Sequence, residues 1–210
     1  MGTRWPVATS PSVLAALLTL IVLPGAPASP LTAQAPGEDV QIAGALQAAP
    51  VAEREGATVL GFLPDGSVTT LRQGSGLLVC LADDAGQEGW SAACYHESLE
   101  PFMARGRELR AEGVTDAGEL AQRRWDEADA GTLPMPEEPA MLYALTGDDY
   151  DPATGTVVNG SIRWVIYTPW ATPESTGLTA QPTAPGAPWL MFPGTAGAHI
   201  MITPPPTGGR

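Results

Sequence analysis

Lysine is absent from the 210 residues: all ten cations are arginine, set against 23 acidic side chains. The net charge of −13 at pH 7 repels phosphate backbones, whose recognition depends on neutralisation by cations. Nucleic acid and anionic lipid are therefore poor partners. Cations, basic partners and neutral ligands stay open, and the identity of any protein or small-ligand partner is unknown at this stage. Only two cysteines and two histidines are present. The chain holds no Cys-x-x-Cys, no His-Glu-x-x-His and no Gly-x-Ser-x-Gly, which removes the common thiol-redox, zinc-hydrolase and serine-hydrolase signatures. Past Leu23 no apolar run is long enough to span a membrane.

What is present begins with an apolar stretch, Val13 to Leu23, behind the single charge of Arg4 and ended by Pro24-Gly25. A spanning helix needs about 20 apolar residues and this run is roughly half as long. A charged start, a short apolar middle and the small-x-small triplet Ala26-Pro27-Ala28 describe a signal peptide over residues 1–28, cleaved after Ala28. Ala33-Gln34-Ala35 is a second cleavage candidate, and an uncleaved anchor is the alternative. No cysteine follows for a lipid anchor. The expected destination is the periplasm or the extracellular medium. Abundant Ala, Gly and Pro, with Arg in place of Lys, match a GC-rich bacterial genome by association. In an exported chain an even cysteine count predicts one bridge, Cys80 to Cys94. Their spacing is too wide for a redox or metal-binding thiol pair, so a structural staple is expected.

Residues 29–37 are poor in large apolar groups and read as a flexible linker, and residues 204–210 read as a disordered tail. Residues 38–203, about 165 in number, suit a single globular domain. Glu38 to Ala49 predicts a short helix stopped by Pro50. Ala57–Leu63 and Val68–Arg72 flank Pro64-Asp65-Gly66-Ser67, a hairpin signal. Leu77–Leu81 reads as a central strand that the bridge clamps to the segment returning at Cys94. Glu97–Ala111 and Asp116–Asp129, the latter capped by Thr115, have helical period, and Gly113 and Gly131 fit their ends. Strands are expected at Met141–Leu145, Ser161–Tyr167, Trp189–Phe192 and Ala198–Ile202, with a polar loop at Gly147–Pro152 and a turn at Pro173–Gly177. Strands at both ends and helices in the middle predict an α+β domain with a mainly antiparallel sheet.

Several short blocks share a pattern: Gly66 to Cys80, Leu81-Ala82-Asp83-Asp84, Cys94-Tyr95, Tyr143-Ala144-Leu145-Thr146-Gly147 and Ala198-His199-Ile200-Met201-Ile202. Together, in the order hairpin, two-cysteine loop, helical middle and His-containing final strand, they resemble a group of small exported bacterial proteins of unknown function. The resemblance runs from about Gly56 to Ile202. It departs at Ser75-Gly76-Leu77, where the group carries Asn-Gly-Trp. It implies one exported domain and brings no activity or cofactor.

Candidate chemistry is sparse. His96 and Glu100 are four residues apart, so both fall on one helix face. If the fold brought them to His199, with Asp83, Asp84 or Glu97 near, two imidazoles and a carboxylate would form an open divalent-metal site able to activate water. The competing reading has His96 capping a helix beside the bridge and His199 bonded to a loop carbonyl. Asp148, Asp149 and Asp151 offer calcium-type oxygens but lack the Gly and third ligand of an EF-hand loop, which favours an Asx-type turn. Ser75, in Gly-Ser-Gly, reads as a turn residue; pairing it with His199 and an Asp would require the fold to join them. Trp164, Trp170 and Trp189, with Tyr143 and Tyr167, could make an aromatic platform, although strand aromatics more often fill a core, and core is the expectation. A docking protein would instead expose an apolar patch near Trp170 or Trp189. The reading leans away from an enzyme and toward a structural or ligand-binding exported domain with no cofactor. A metal-dependent hydrolase built on His96 and His199 is the alternative.

Overall fold

The computed structural model describes residues 1–2 and 35–205. Beyond residues 1 and 2, the expected leader lies outside the described residues, as do residues 29–34 of the linker and 206–210 of the tail. Helix α1, Glu38–Ala45, starts where the Gly37 carbonyl accepts the N–H groups of Val40 and Gln41, each at 3.0 Å. Glu38 and Asp39 sit in its first turn, where the helix dipole favours acids. A 3-10 turn, Leu46–Ala48, extends it. Ala49 is then extended, as a residue before proline prefers.

Strands β1, Thr58–Phe62, and β2, Val68–Arg72, form the expected antiparallel hairpin. Asp65 accepts the Ser67 N–H at 2.9 Å, and Gly66 takes a φ of 82° that closes the turn. Strand β3, Leu78–Leu81, lies parallel to β1, and β4, Trp90–His96, runs antiparallel beside β3. Cys80 and Cys94 are direct cross-strand partners, joined by a disulfide with sulfurs 2.08 Å apart. The sheet continues through β5, Ala140–Gly147, then passes over a small ribbon of β6, Asp149–Asp151, and β7, Thr156–Val158. It is completed by β8, Ser161–Tyr167, β9, Trp189–Met191, and β10, His199–Ile202. Among the described residues the main sheet has eight strands in the order β2-β1-β3-β4-β5-β8-β10-β9. Every neighbouring pair except β1–β3 is antiparallel. The fold is α+β with a mainly antiparallel sheet and its long helices in mid-chain, as the order of apolar runs predicts.

Each sheet face has its own cover. On one, Val59, Cys80, Ala92 and Cys94 meet Ala45 and Ala48 of the N-terminal helical segment. On the other, Tyr95, Leu142 and Val165 meet Leu99 and Met103. Met103 belongs to α2, Glu100–Ala111, whose Phe102, Gly106 and Leu109 are buried, as their spacing requires. Helix α3, Ala117–Asp129, packs beside it with Trp125 and Ala128 against Phe102. Burying one such aromatic or leucine contributes about 1.5–3 kcal/mol, so these few residues fix where α2 and α3 sit. A one-turn helix, α4, Pro173–Thr176, follows β8 and carries a capping box between Thr172 and Ser175. No helix of the described residues is long and apolar enough to cross a membrane.

Three local expectations change. The sequence assigns no strand to Trp90–His96, because Ser and Ala dilute its β signal; alternate burial of Trp90, Ala92 and Cys94 makes it central. The α3 cap is Asp116 in place of Thr115, its carboxylate accepting the Glu119 N–H at 2.8 Å. The polar loop after Gly147 is partly the β6–β7 ribbon, whose Tyr150 stacks on Trp90 at 5.8 Å.

Candidate functional site

The residues proposed to hold a metal are dispersed by the sheet. His96 ends β4 and His199 begins β10, with β5 and β8 between them. Three strand spacings separate them by about 14 Å, against the ~2 Å bonds a shared zinc would need. Asp83 lies beside Ser91, whose N–H it accepts at 2.8 Å, five residues along β4 from His96, or roughly 17 Å. The metal-site expectation for His96, His199, Glu100 and Asp83 is therefore corrected: pairing register puts them in different places. Among the described residues no group of three His, Cys, Asp or Glu side chains is placed to hold a metal.

The competing reading of the histidines matches their bonds. The His96 ring accepts the Ser98 N–H and meets the Ser98 hydroxyl at 2.8 Å, capping a 3-10 turn over Glu97–Leu99. Glu100 is tied to the Tyr95 hydroxyl at 2.6 Å and to Arg107. Burial and this carboxylate together push the Tyr95 hydroxyl well above its ordinary range. His96, Glu97 and Glu100 border an open groove of about 510 Å³ floored by Leu60, Thr70 and Val79. A smaller recess of about 270 Å³ holds Asp83, Asp149, Trp90 and Tyr150. Burial raises the Asp83 carboxyl, against the lowering effect of the Ser91 N–H, and the charges of Asp84 and Asp149 raise it further. Asp151 accepts from the Ala153 N–H at 2.9 Å and from the Thr154 hydroxyl at 2.8 Å, an Asx-type turn. Ser75 lies in an exposed bend before β3, four strand spacings or about 19 Å from His199.

The residues that do converge are aromatic. His199, 7% exposed, has Nδ1 2.8 Å from the Gly197 carbonyl oxygen, so Nδ1 carries the proton. Burial lowers its pKa below the ordinary 6.5 and keeps the ring neutral at pH 7, although the Gly197 bond opposes the shift. Its ring lies between Tyr167 at 5.2 Å and Phe192 at 5.7 Å. Phe192 also meets Trp125 of α3 at 5.1 Å, and Tyr167 meets Phe102 at 5.8 Å. The Arg124 guanidinium caps the inner end, 4.2 Å above the Phe102 ring. Gly197 is obligatory here: a Cβ would sit 2.1 Å from the Trp125 indole nitrogen.

Phe192, at the outer end of this ladder, and Trp170, on the loop hydrogen-bonded to its own, are exposed and strained. Phe192 is 41% exposed and Trp170 46%. Both hold left-handed backbone, with φ of 54° and 59°, conformations that cost a bulky residue about 1–3 kcal/mol each. Their loops are laced together, Trp170 N–H donating to Thr195 O and Gly194 N–H to Ala171 O, each at 2.8 Å. The Trp170 indole N–H donates to Asp129, the last residue of α3, at 2.7 Å. The expectation that the tryptophans fill a core is thus corrected for Trp170 and for Trp164, which is 41% exposed. Trp189, Tyr143 and Tyr167 are half-buried. Sequence reasoning missed Phe192, Trp125 and Asp129; the available signal was an aromatic set directly against proline, in Pro169-Trp170 and Phe192-Pro193. No protein-family model, no curated protein and no solved structure matches the chain.

Proposed function

We propose that this chain is an exported, disulfide-braced, non-enzymatic domain that binds a ligand on the surface formed by Trp170 and Phe192. One observation carries the reading: two exposed aromatic rings share one pair of laced loops, and both are held there at the expense of backbone strain. Strain of this kind persists where surrounding structure enforces it and concentrates at binding and catalytic sites. Exposed Trp and Phe presented by short, hydrogen-bonded loops are also the side chains that dominate recognition surfaces. The Cys80–Cys94 bridge and the leader-like N-terminus support export, and the resemblance to small exported bacterial proteins agrees with it. The hydrolase alternative loses its support, because its proposed ligands do not meet.

The reading is tested by calorimetric titration of the protein and of a Trp170→Gly, Phe192→Gly variant. Glycine adopts left-handed backbone freely, so the loops keep their path while the rings are lost. The probes are hexa-arginine, hexalysine and chitohexaose. Binding of at least one probe by the parent, reduced tenfold or more in the variant, is the expected result. Equal binding by both proteins, or none by either, would overturn the assignment of this surface.

A further inference from the structure

The exposed side chains at the α3 end that Trp170 bonds are acidic. Asp129 holds the Trp170 indole through one carboxylate oxygen and is itself exposed; its second oxygen has no partner among the described residues. It closes the last turn of α3, a turn without a basic residue, so the negative end of the helix dipole adds to its charge. Asp126 belongs to the same exposed end, and Glu174 stands exposed four residues beyond Trp170.

The α3 cations, Arg123 and Arg124, are turned to partners within the fold. Arg124 turns inward, its guanidinium stacked on Phe102 and its N–H groups bonded to the carbonyls of Leu120 and Phe102. Arg123 pairs with Glu119 at 2.6 Å, and Arg105 with Glu127 at 2.8 Å. The buried His199 under Phe192 is neutral at pH 7 and adds no positive charge. A chain of net charge −13 thus presents Trp170 beside an exposed carboxylate.

From this complementarity we infer that the Trp170–Phe192 surface docks a basic peptide segment by stacking an arginine guanidinium against the rings. The inference rests on the binding surface proposed above and names its ligand class. A guanidinium is flat and weakly hydrated, stacks on aromatic faces, and offers a fork of N–H donors that fits a carboxylate. Here the open oxygen of Asp129 is the acceptor beside the Trp170 ring. An ammonium can satisfy the charge but not the stacking, so arginine is preferred to lysine. Contact through an aromatic face and one carboxylate also predicts salt sensitivity, since the charges are exposed.

The test compares hexa-arginine, hexalysine and chitohexaose on the full chain, titrated by fluorescence and calorimetry at low and high salt. Hexa-arginine is expected to bind about tenfold tighter than hexalysine. Asp129→Asn, which keeps an acceptor for the Trp170 indole, weakens hexa-arginine several-fold, and Trp170→Gly weakens it about tenfold. Chitohexaose is expected not to bind. If chitohexaose binds in a Trp170-dependent way and hexa-arginine does not, the surface stands and the arginine assignment falls. If hexa-arginine binds but is indifferent to Trp170→Gly and Asp129→Asn, general attraction to an acidic protein explains it and the inference is overturned. If no probe reports on Trp170, both readings fall.

Discussion

Replacing both bridge cysteines, Cys80→Ala with Cys94→Ala, removes the one covalent link across the sheet, and its cost divides into two parts. The bridge closes a segment with a sequence separation of 14, which the chain-entropy model values at about 3 kcal/mol through restriction of the unfolded chain. Both cysteines are fully buried, packed among Val59, Ala45 and Ala92, so each lost sulfur also leaves a small void worth roughly 1 kcal/mol. A total of about 5 kcal/mol follows, or roughly 10–20 °C in Tm for a chain of this size. Urea unfolding monitored by tryptophan fluorescence measures the loss directly. The slope against urea should rise in the variant, because the unfolded chain, freed of its crosslink, exposes more surface. Reduced wild-type protein retains its sulfurs, so comparing it with the alanine variant separates the entropic part from the packing part. A double variant within 1 kcal/mol of the parent, with an unchanged slope, would refute the claim that this bridge braces the fold.

Other outcomes follow from single positions. Gly197→Ala forces a methyl against the rigid Trp125 ring, 2.1 Å from its nitrogen, and should cost about 1–3 kcal/mol in denaturant unfolding with a change in near-ultraviolet circular dichroism. Thr168 has a buried hydroxyl without a hydrogen-bond partner among the described residues, so the isosteric Thr168→Val should raise stability by about 1 kcal/mol, read by thermal unfolding. His199 is held below its ordinary pKa by burial, so the unfolded chain binds the proton more readily than the folded one. Stability should therefore fall as pH drops below 6.5 and level off below the depressed folded value, a slope that His199→Gln should flatten in unfolding measured from pH 7.5 to 5.

The sequence carries local chemistry well and coverage poorly. The hairpin at Pro64-Asp65-Gly66-Ser67 is legible because its turn needs an Asp acceptor and a glycine with positive φ, and both are present. The α2 face carrying Phe102, Met103 and Leu109 and the Cys80–Cys94 pairing are legible for similar reasons of period and count. Strand β4 is harder to see, since Ala92 owes its place to tight packing under the N-terminal helical segment, a tertiary effect, while Ser91 on the opposite face is exposed. Alternation along β8 places Trp164 on one face, but it does not say how far the covering helix reaches. The α1 segment packs on β1, β4 and β5 and leaves Trp164 exposed. The left-handed backbone at Trp170 and Phe192 is invisible in sequence, because that conformation is normally signalled by Gly or Asn.

Whether Trp170 is kept for recognition or for packing is decided by the unfolding free energy of Trp170→Gly. Its φ of 59° suits glycine, and nearly half of the side chain is already in solvent. Relief of about 1–3 kcal/mol of backbone strain should offset the lost contacts and the bond to Asp129. A variant within about 1 kcal/mol of the parent, or more stable, is the expected result. A loss above about 3 kcal/mol would show that the ring holds the fold together, and would contradict a surface shaped for a ligand.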